Sequence, residues 1–238
     1  MVTTLQLGEI TVDVVMKDIK NLHLSVYPPT GRVRISAPLR MNLNTIRIFA
    51  ISKIGWIKQH QGKVNTQERE SPREFINRES HYVWGKRYLL ERIEKDAPPI
   101  IDLQHSKLIL QVRPGTPQAR GQELLDEWYR AQMKQALPKL LSKWQPLLGV
   151  EPKRIYIQRM KTKWGSCSPT TGSIRLNTDL ARKPKECLEY IVLHELAHLI
   201  EPTHNHRFTD LMDRLLPNWR THRETLNRLP LRHVDWVY

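Results

Sequence analysis

Val192 to Phe208 reads VLHELAHLIEPTHNHRF and packs four of the chain's ten histidines, His194, His198, His204 and His206, into one short stretch. Around the first two, Leu188, Ile191, Val192, Leu196 and Leu199 recur at helical spacing, which predicts a helix from about Pro184 to Ile200. Residues four apart lie one turn apart on the same helix face, so the imidazoles of His194 and His198 can chelate a single metal ion. Zinc takes imidazole nitrogens at about 2.0–2.1 Å, and a catalytic zinc uses three protein ligands and keeps one position open. Glu195 follows the first ligand directly, turned far enough round the helix to miss the metal and still reach a water beside it. This is the HExxH arrangement, here HELAH.

A third ligand is needed. Glu201 and Pro202 stop the helix, because a residue before proline is pushed out of helical geometry, and His204 then lies six residues beyond His198. His204 is the preferred third ligand. His206 is the rival, with a supporting or substrate-binding place as its other role. Two histidines and a glutamate on a buried helix face would be costly to leave without a metal or partners, since an unpaired buried carboxylate is strongly destabilising.

Upstream, MKTKWGSCS (Met160–Ser168) and GSIRLNTDLARKP precede EYIVLHELAHLIEPTHNHRF. In this order the three segments resemble the YgjP-like metallopeptidases, which are related to the SprT-like and WLM zinc proteases. The resemblance is strong from Ile155 to about Trp219 and looser before that. It implies His194, His198 and His204 as zinc ligands, Glu195 as the catalytic glutamate, and a place near the site for Trp164, Gly165 and Ser166. The metzincin pattern shares the six-residue spacing but turns on a glycine, where this chain has Glu201 before Pro202.

The implied activity is peptide hydrolysis by metal-activated water with Glu195 as general base. Oxyanion donors are open among Tyr190, Tyr156, Arg159, Lys161 and His206. Cys167 reads as a small buried hydrophobe rather than a nucleophile. Two other classes compete. A YbeY-type nuclease uses a similar histidine spacing but resembles HGxxH, without a glutamate at position 195. A nucleic-acid-binding module with a structural zinc needs a fourth protein ligand, such as His206.

The 238-residue chain carries a formal charge of +14 with a pI near 10, which commonly reports an anionic partner such as nucleic acid, the alternative being a diffuse basic surface that only favours solubility. Together with this charge, the resemblance to the SprT-like and WLM proteases, which act on DNA-protein crosslinks, implies substrates associated with nucleic acid. Its two cysteines, Cys167 and Cys187, form no CxxC pair, and the first thirty residues hold no uninterrupted apolar core. These features suit an unexported cytoplasmic protein acting on proteins or peptides, with no membrane partner.

The expected fold is α+β, a zincin-like core with an antiparallel sheet and the HExxH helix, at residues 118–238, after a β-rich part with one helix at residues 1–117. In that first part, alternation at Ile10/Val12/Val14, Leu22/Leu24/Val26 and Val33/Ile35/Ala37 predicts an antiparallel meander. A helix capped by Asn44 follows and runs through Ile57, then a polar connection over residues 61–80, a hairpin at Trp84-Gly85 and a strand KLILQV. Leu124, Trp128, Ala131, Leu137, Leu140 and Leu141 predict a long helix from Gln118 to Leu148, kinked or divided near Pro138. Strands RIYIQRM and SIRLN come next, with SIRLN either edging the cleft or lying inside the sheet. A last helical region runs from His206 and breaks near Pro217. No internal repeat is visible.

Overall fold

The structure is a computed structural model that describes residues 2–27, 30–66, 76–160 and 163–229. The fold is mixed α+β, and the chain divides into two compact units, residues 1–68 and 69–238.

The first unit opens with β1 (Val2–Leu7), β2 (Ile10–Lys17), β3 (His23–Tyr27) and β4 (Arg32–Pro38). They form one sheet in the order β1-β2-β4-β3, with β2 parallel to β4 and both outer pairs antiparallel. The expected meander is thus corrected. Alternation shows which face is buried and says nothing about strand direction, and β1, whose only buried residue is Leu5, gave no signal at all. Val12, Val14, Val33, Ile35 and Ala37 bury one face of the sheet against Ile46, Ala50 and Ile57. The last three lie on two helices rather than one: α1 (Leu43–Ser52) and α2 (Ile54–Thr66), parted at Lys53. Asn42 caps α1, not Asn44, its side chain accepting from the Thr45 N–H at 2.8 Å.

The second unit opens with β5 (Ser80–Val83), β6 (Lys86–Glu94), β7 (Ile100–Leu103) and β8 (Lys107–Val112). Their order is β5-β6-β8-β7, again with the middle pair parallel and the outer pairs antiparallel. The two sheets therefore share one connectivity, a repeat that the sequence does not display. The boundary read at residue 117 falls inside this unit, because Leu90, Leu108, Leu110 and Val112 close on Leu125 of α3 (Gln118–Leu148). That helix is one continuous 31-residue element despite Pro138 and Pro146, and it ends at Gly149, whose φ of +66° makes a left-handed cap. Beyond it come β9 (Arg154–Gln158), β10 (Gly165–Ser168) and β11 (Ser173–Asn177) in the order β10-β11-β9, so SIRLN is the central strand and β10, which follows Trp164, is one of the two outer ones. A 3-10 turn over Thr178–Arg182 leads into α4 (Lys185–Ala197), followed by α5 (His206–Leu215) and α6 (Trp219–Arg228). Among the described residues, no helix is long and apolar enough to cross a membrane.

α4 is buried almost all round, as expected for a central helix with apolar residues on every side. Its start is held by the β5–β6 hairpin. Trp84 and Gly85 both have positive φ, the pattern of a type I′ turn, and their N–H groups donate to the carbonyls of Ala181 (2.8 Å) and Arg182 (3.3 Å). Gly85 has φ +81°, and a Cβ there would stand 3.0 Å from Pro184 Cγ and 3.2 Å from its Cα and N. Gly85→Ala should therefore lower stability by about 1–3 kcal/mol through backbone strain and this collision. Urea unfolding checks it, and an unchanged midpoint would show that the hairpin tip does not hold α4.

Candidate metal centre

His194 lies in the last turn of α4, and His198 is its C-cap, with helical φ and ψ of −67° and −16°. The helix closes tightly there, the N–H groups of Ile200 and Glu201 both donating to the Ala197 carbonyl at 3.0 and 2.9 Å. Pro202 prevents any continuation. The loop is then pinned by Asn205, whose side-chain amide donates to Glu201 Oε1 at 2.9 Å while its own oxygen accepts from the Phe208 N–H at 3.1 Å and caps α5. This brings His204 back over the helix it has just left.

The three Nε2 atoms converge. His194 and His198 are 3.2 Å apart, His198 and His204 3.1 Å, and His194 and His204 3.0 Å. Hydrogen bonding cannot satisfy such a triangle, because a neutral imidazole carries one N–H and one lone pair. His198 spends its N–H elsewhere: Nδ1 lies 3.0 Å from the Glu201 carbonyl and donates to it, which leaves the Nε2 lone pair facing its neighbours. Tetrahedral zinc with bonds of about 2.0–2.1 Å separates its ligands by about 3.3–3.4 Å. The observed triangle is within a few tenths of an ångström of that, so the donor set fits a dication with three nitrogen ligands. Burial, followed by the neighbouring His198 and His204 and then Arg223, lowers the His194 pKa to about 3. Burial, His198 and Arg223 lower that of His204. Both rings thus keep their lone pairs at neutral pH. Phe208, itself buried, is the floor beneath the cluster, its ring centroid 4.7–5.0 Å from all three imidazoles.

Glu195 is only 4% exposed. Burial raises its carboxyl to about 7, with the Lys163 charge opposing the rise. The carboxyl lies against Gly165 of β10: a Cβ on that glycine would meet Glu195 Oε1 at 2.5 Å and Cγ at 2.8 Å. The glycine of the WGSC segment is therefore the space that the glutamate occupies. The stretch leading to it is clamped by Asn177, whose side-chain amide donates to the carbonyls of Met160 and Lys163 at 2.9 Å each, while the Asn177 N–H donates to the Trp164 carbonyl at 2.9 Å. Cys167, two residues on, has its thiol pushed up to about 11 by burial and by the Glu195 carboxylate, which removes the thiolate a nucleophile needs.

The other residues singled out from the sequence scatter. His206 is exposed and faces Asp210 at 3.3 Å, away from the converging nitrogens. Tyr190 meets His194 edge-on at 5.6 Å and stacks on Trp219 at 6.1 Å. Trp164 packs against the core beneath the β10 turn, with Lys183 Nζ 5.8 Å from its ring centre. Tyr156 is on β9, separated from β10 by the central strand, and Arg159 follows that strand. Lys161 lies outside the described residues. Gly165, expected near the site from the resemblance, does lie against Glu195, whereas the parts played by Asn177 and Phe208 in shaping the centre were not foreseen. Only Gly165 carried a signal, as a glycine in a strand where another group approaches closely.

The family described as "YgjP-like, metallopeptidase domain" matches residues 20–229. The chain belongs to the YgjP-like metallopeptidase family. It is accordingly a metallopeptidase, an enzyme of the hydrolase class whose activity requires a metal. Among solved structures, it is similar to the metallopeptidase zymogen abylysin of Pyrococcus abyssi, at 24% identity and a TM-score of 0.36 over 41% of this chain and 98% of that one. It is likewise similar to the metallopeptidase zymogen jannalysin of Methanocaldococcus jannaschii, at 26% identity and a TM-score of 0.34 over 37% and 85% of the respective chains. No curated protein matches.

For this YgjP-like chain, the close approach at β10 has a measurable consequence. Gly165→Ala should displace the Glu195 carboxyl, cutting peptide hydrolysis more than tenfold while metal content, measured by atomic absorption, stays within error of the parent. Loss of the metal together with activity would show that the glycine supports the whole centre rather than the glutamate alone.

Proposed function

We propose that the protein is a zinc peptidase of zincin-like architecture in which His194, His198 and His204 hold the metal and Glu195 is the general base. The observation that carries this reading is the triangle of Nε2 atoms 3.0–3.2 Å apart, built from the end of α4 and the loop after it, beside a buried carboxyl on α4. Zinc, when bound, supplies a Lewis acid that polarises the scissile carbonyl and eases deprotonation of the attacking water. Glu195 receives the water's proton on its carboxylate as the C–O bond forms and delivers it to the departing amine as the C–N bond breaks. A carboxyl lifted to about 7 by burial is matched to both halves of that transfer. β10 is the one of its sheet's two outer strands that adjoins Glu195, so an extended substrate can add beside it through main-chain hydrogen bonds. The position of His206, turned toward Asp210, supports an open three-ligand centre rather than a closed structural one. The charge of +14 supports substrates that are proteins associated with nucleic acid.

Glu195→Gln should keep its zinc and lose peptide hydrolysis by about 10²–10⁴-fold, a general base's usual share; full activity on casein would remove Glu195 from that role. His204→Ala should lose most of the zinc on dialysis. Zinc content equal to that of the parent would reassign the third ligand, with His206→Ala deciding whether it moves there. For the nucleic-acid clause, affinity for duplex DNA should fall steeply between 50 and 200 mM salt, roughly in proportion to the number of phosphates contacted. Binding insensitive to salt would leave the positive charge without that partner.

A further inference from the structure

A cavity of about 330 Å³ opens directly against the rings of His194 and His204. Its walls come from three helices of the same unit: Tyr190 of α4, Phe208 of α5, and Trp219 and Arg223 of α6. Trp219 and Arg223 are four residues apart and so share one face of α6. The Tyr190 and Trp219 rings lie nearly parallel, 17° apart, with centroids 6.1 Å from each other. The wall is therefore aromatic, with one cation at its rim and no acidic residue among its lining groups.

Arg220 and Arg223, both on α6, differ. Arg220 is paired to Asp213, which also accepts from the Trp219 indole at 2.7 Å. Arg223 has no carboxylate partner among the described residues, though it is only three positions further along the helix. Its charge reaches into the centre all the same, lowering the pKa of both His194 and His204 and opposing the burial that raises Tyr190. A guanidinium left unpaired beside an aromatic pocket is a fork of donors matched to a carboxylate. The volume lies at the low end of the range for small-ligand pockets, about 300–1,000 Å³.

We propose that this cavity is a specificity pocket for a carboxylate of the substrate peptide, with Arg223 as its anchor and Tyr190 and Trp219 as the walls that pack the rest of the residue. The proposal rests on the peptidase reading above. The carboxylate has two sources, an Asp or Glu side chain next to the scissile bond or the C-terminus of a short peptide, and both present the same two oxygens to the guanidinium.

The test uses a peptide series differing only at the variable residue, Glu, Gln or Lys, each made with a free and an amidated C-terminus. KM and kcat are measured for the zinc-loaded parent and for Arg223→Ala, Arg223→Lys and Arg223→Glu, and binding of the same peptides to the metal-free proteins is measured by calorimetry. In the parent, peptides with the carboxylate should have KM and dissociation constants at least tenfold below their neutral counterparts. The preference should collapse toward one in Arg223→Ala, survive in part in Arg223→Lys, and turn toward the Lys peptide in Arg223→Glu. A preference tracking the Glu residue assigns the pocket to a side chain, and one tracking the free terminus assigns it to a C-terminal carboxylate; either supports the proposal. Equal binding of carboxylate and neutral peptides by the parent would overturn it. So would an Arg223→Ala variant that keeps the preference, or one that loses kcat equally on all peptides with KM unchanged. If the parent cuts no peptide yet its metal-free form still discriminates through Arg223, the peptidase reading fails and the pocket stands.

Discussion

Three imidazole lone pairs held 3.0–3.2 Å apart repel one another, and the fold must keep them together before any ion arrives. It does so by leaving them little freedom. α4 is locked in the core on nearly every side, which fixes the backbone of His194 and places His198 at its very end. The stop at Pro202 and the Asn205 cap then return His204 within six residues, and the Phe208 ring blocks the space beneath. Once the rings are placed in advance, the cost of bringing ligands together has been met by folding and does not weaken binding of the ion.

The same packing separates the chemistry of neighbouring side chains. His194 and Glu195 are adjacent in sequence, and burial acts on them in opposite senses, taking the proton from the imidazole and favouring it on the carboxyl. Each shift suits the role proposed for the group, a free lone pair on one and a proton carrier near neutrality on the other. Gly165 lets β10 approach Glu195 at a distance that any other residue would forbid, so an outer strand of the sheet and the buried carboxyl are brought together by the absence of a side chain.

Much of this was legible in the sequence because the signals were local. The helical spacing through Leu188, Ile191 and Leu196, the HELAH motif and the stop at Pro202 all lie within one short stretch, and α4 and its histidines follow from them. The hairpin at Trp84-Gly85 and the length of α3 were also readable, though the kink expected at Pro138 is absent as a break in the helix. Strand direction was not readable, because period-two alternation is the same in parallel and antiparallel sheets; hence the meander that proved to have a parallel pair at its centre. β10, with Gly-Ser-Cys-Ser, has no alternation to detect, and Asn177 looked like any strand-end asparagine. Nor did the sequence show that two sheets share one connectivity, since the pattern of pairing is repeated with different residues.

The centre is assembled from parts of very different reach along the chain. All three candidate ligands lie within eleven residues, and the link that orients His198, its Nδ1–H to the Glu201 carbonyl, spans only three. The wall that positions Glu195 comes from Gly165, thirty residues upstream, and depends on a sheet being complete. The histidine triangle is consequently encoded in one short stretch, whereas the placement of Glu195 depends on a distant strand and reports that the sheet is complete.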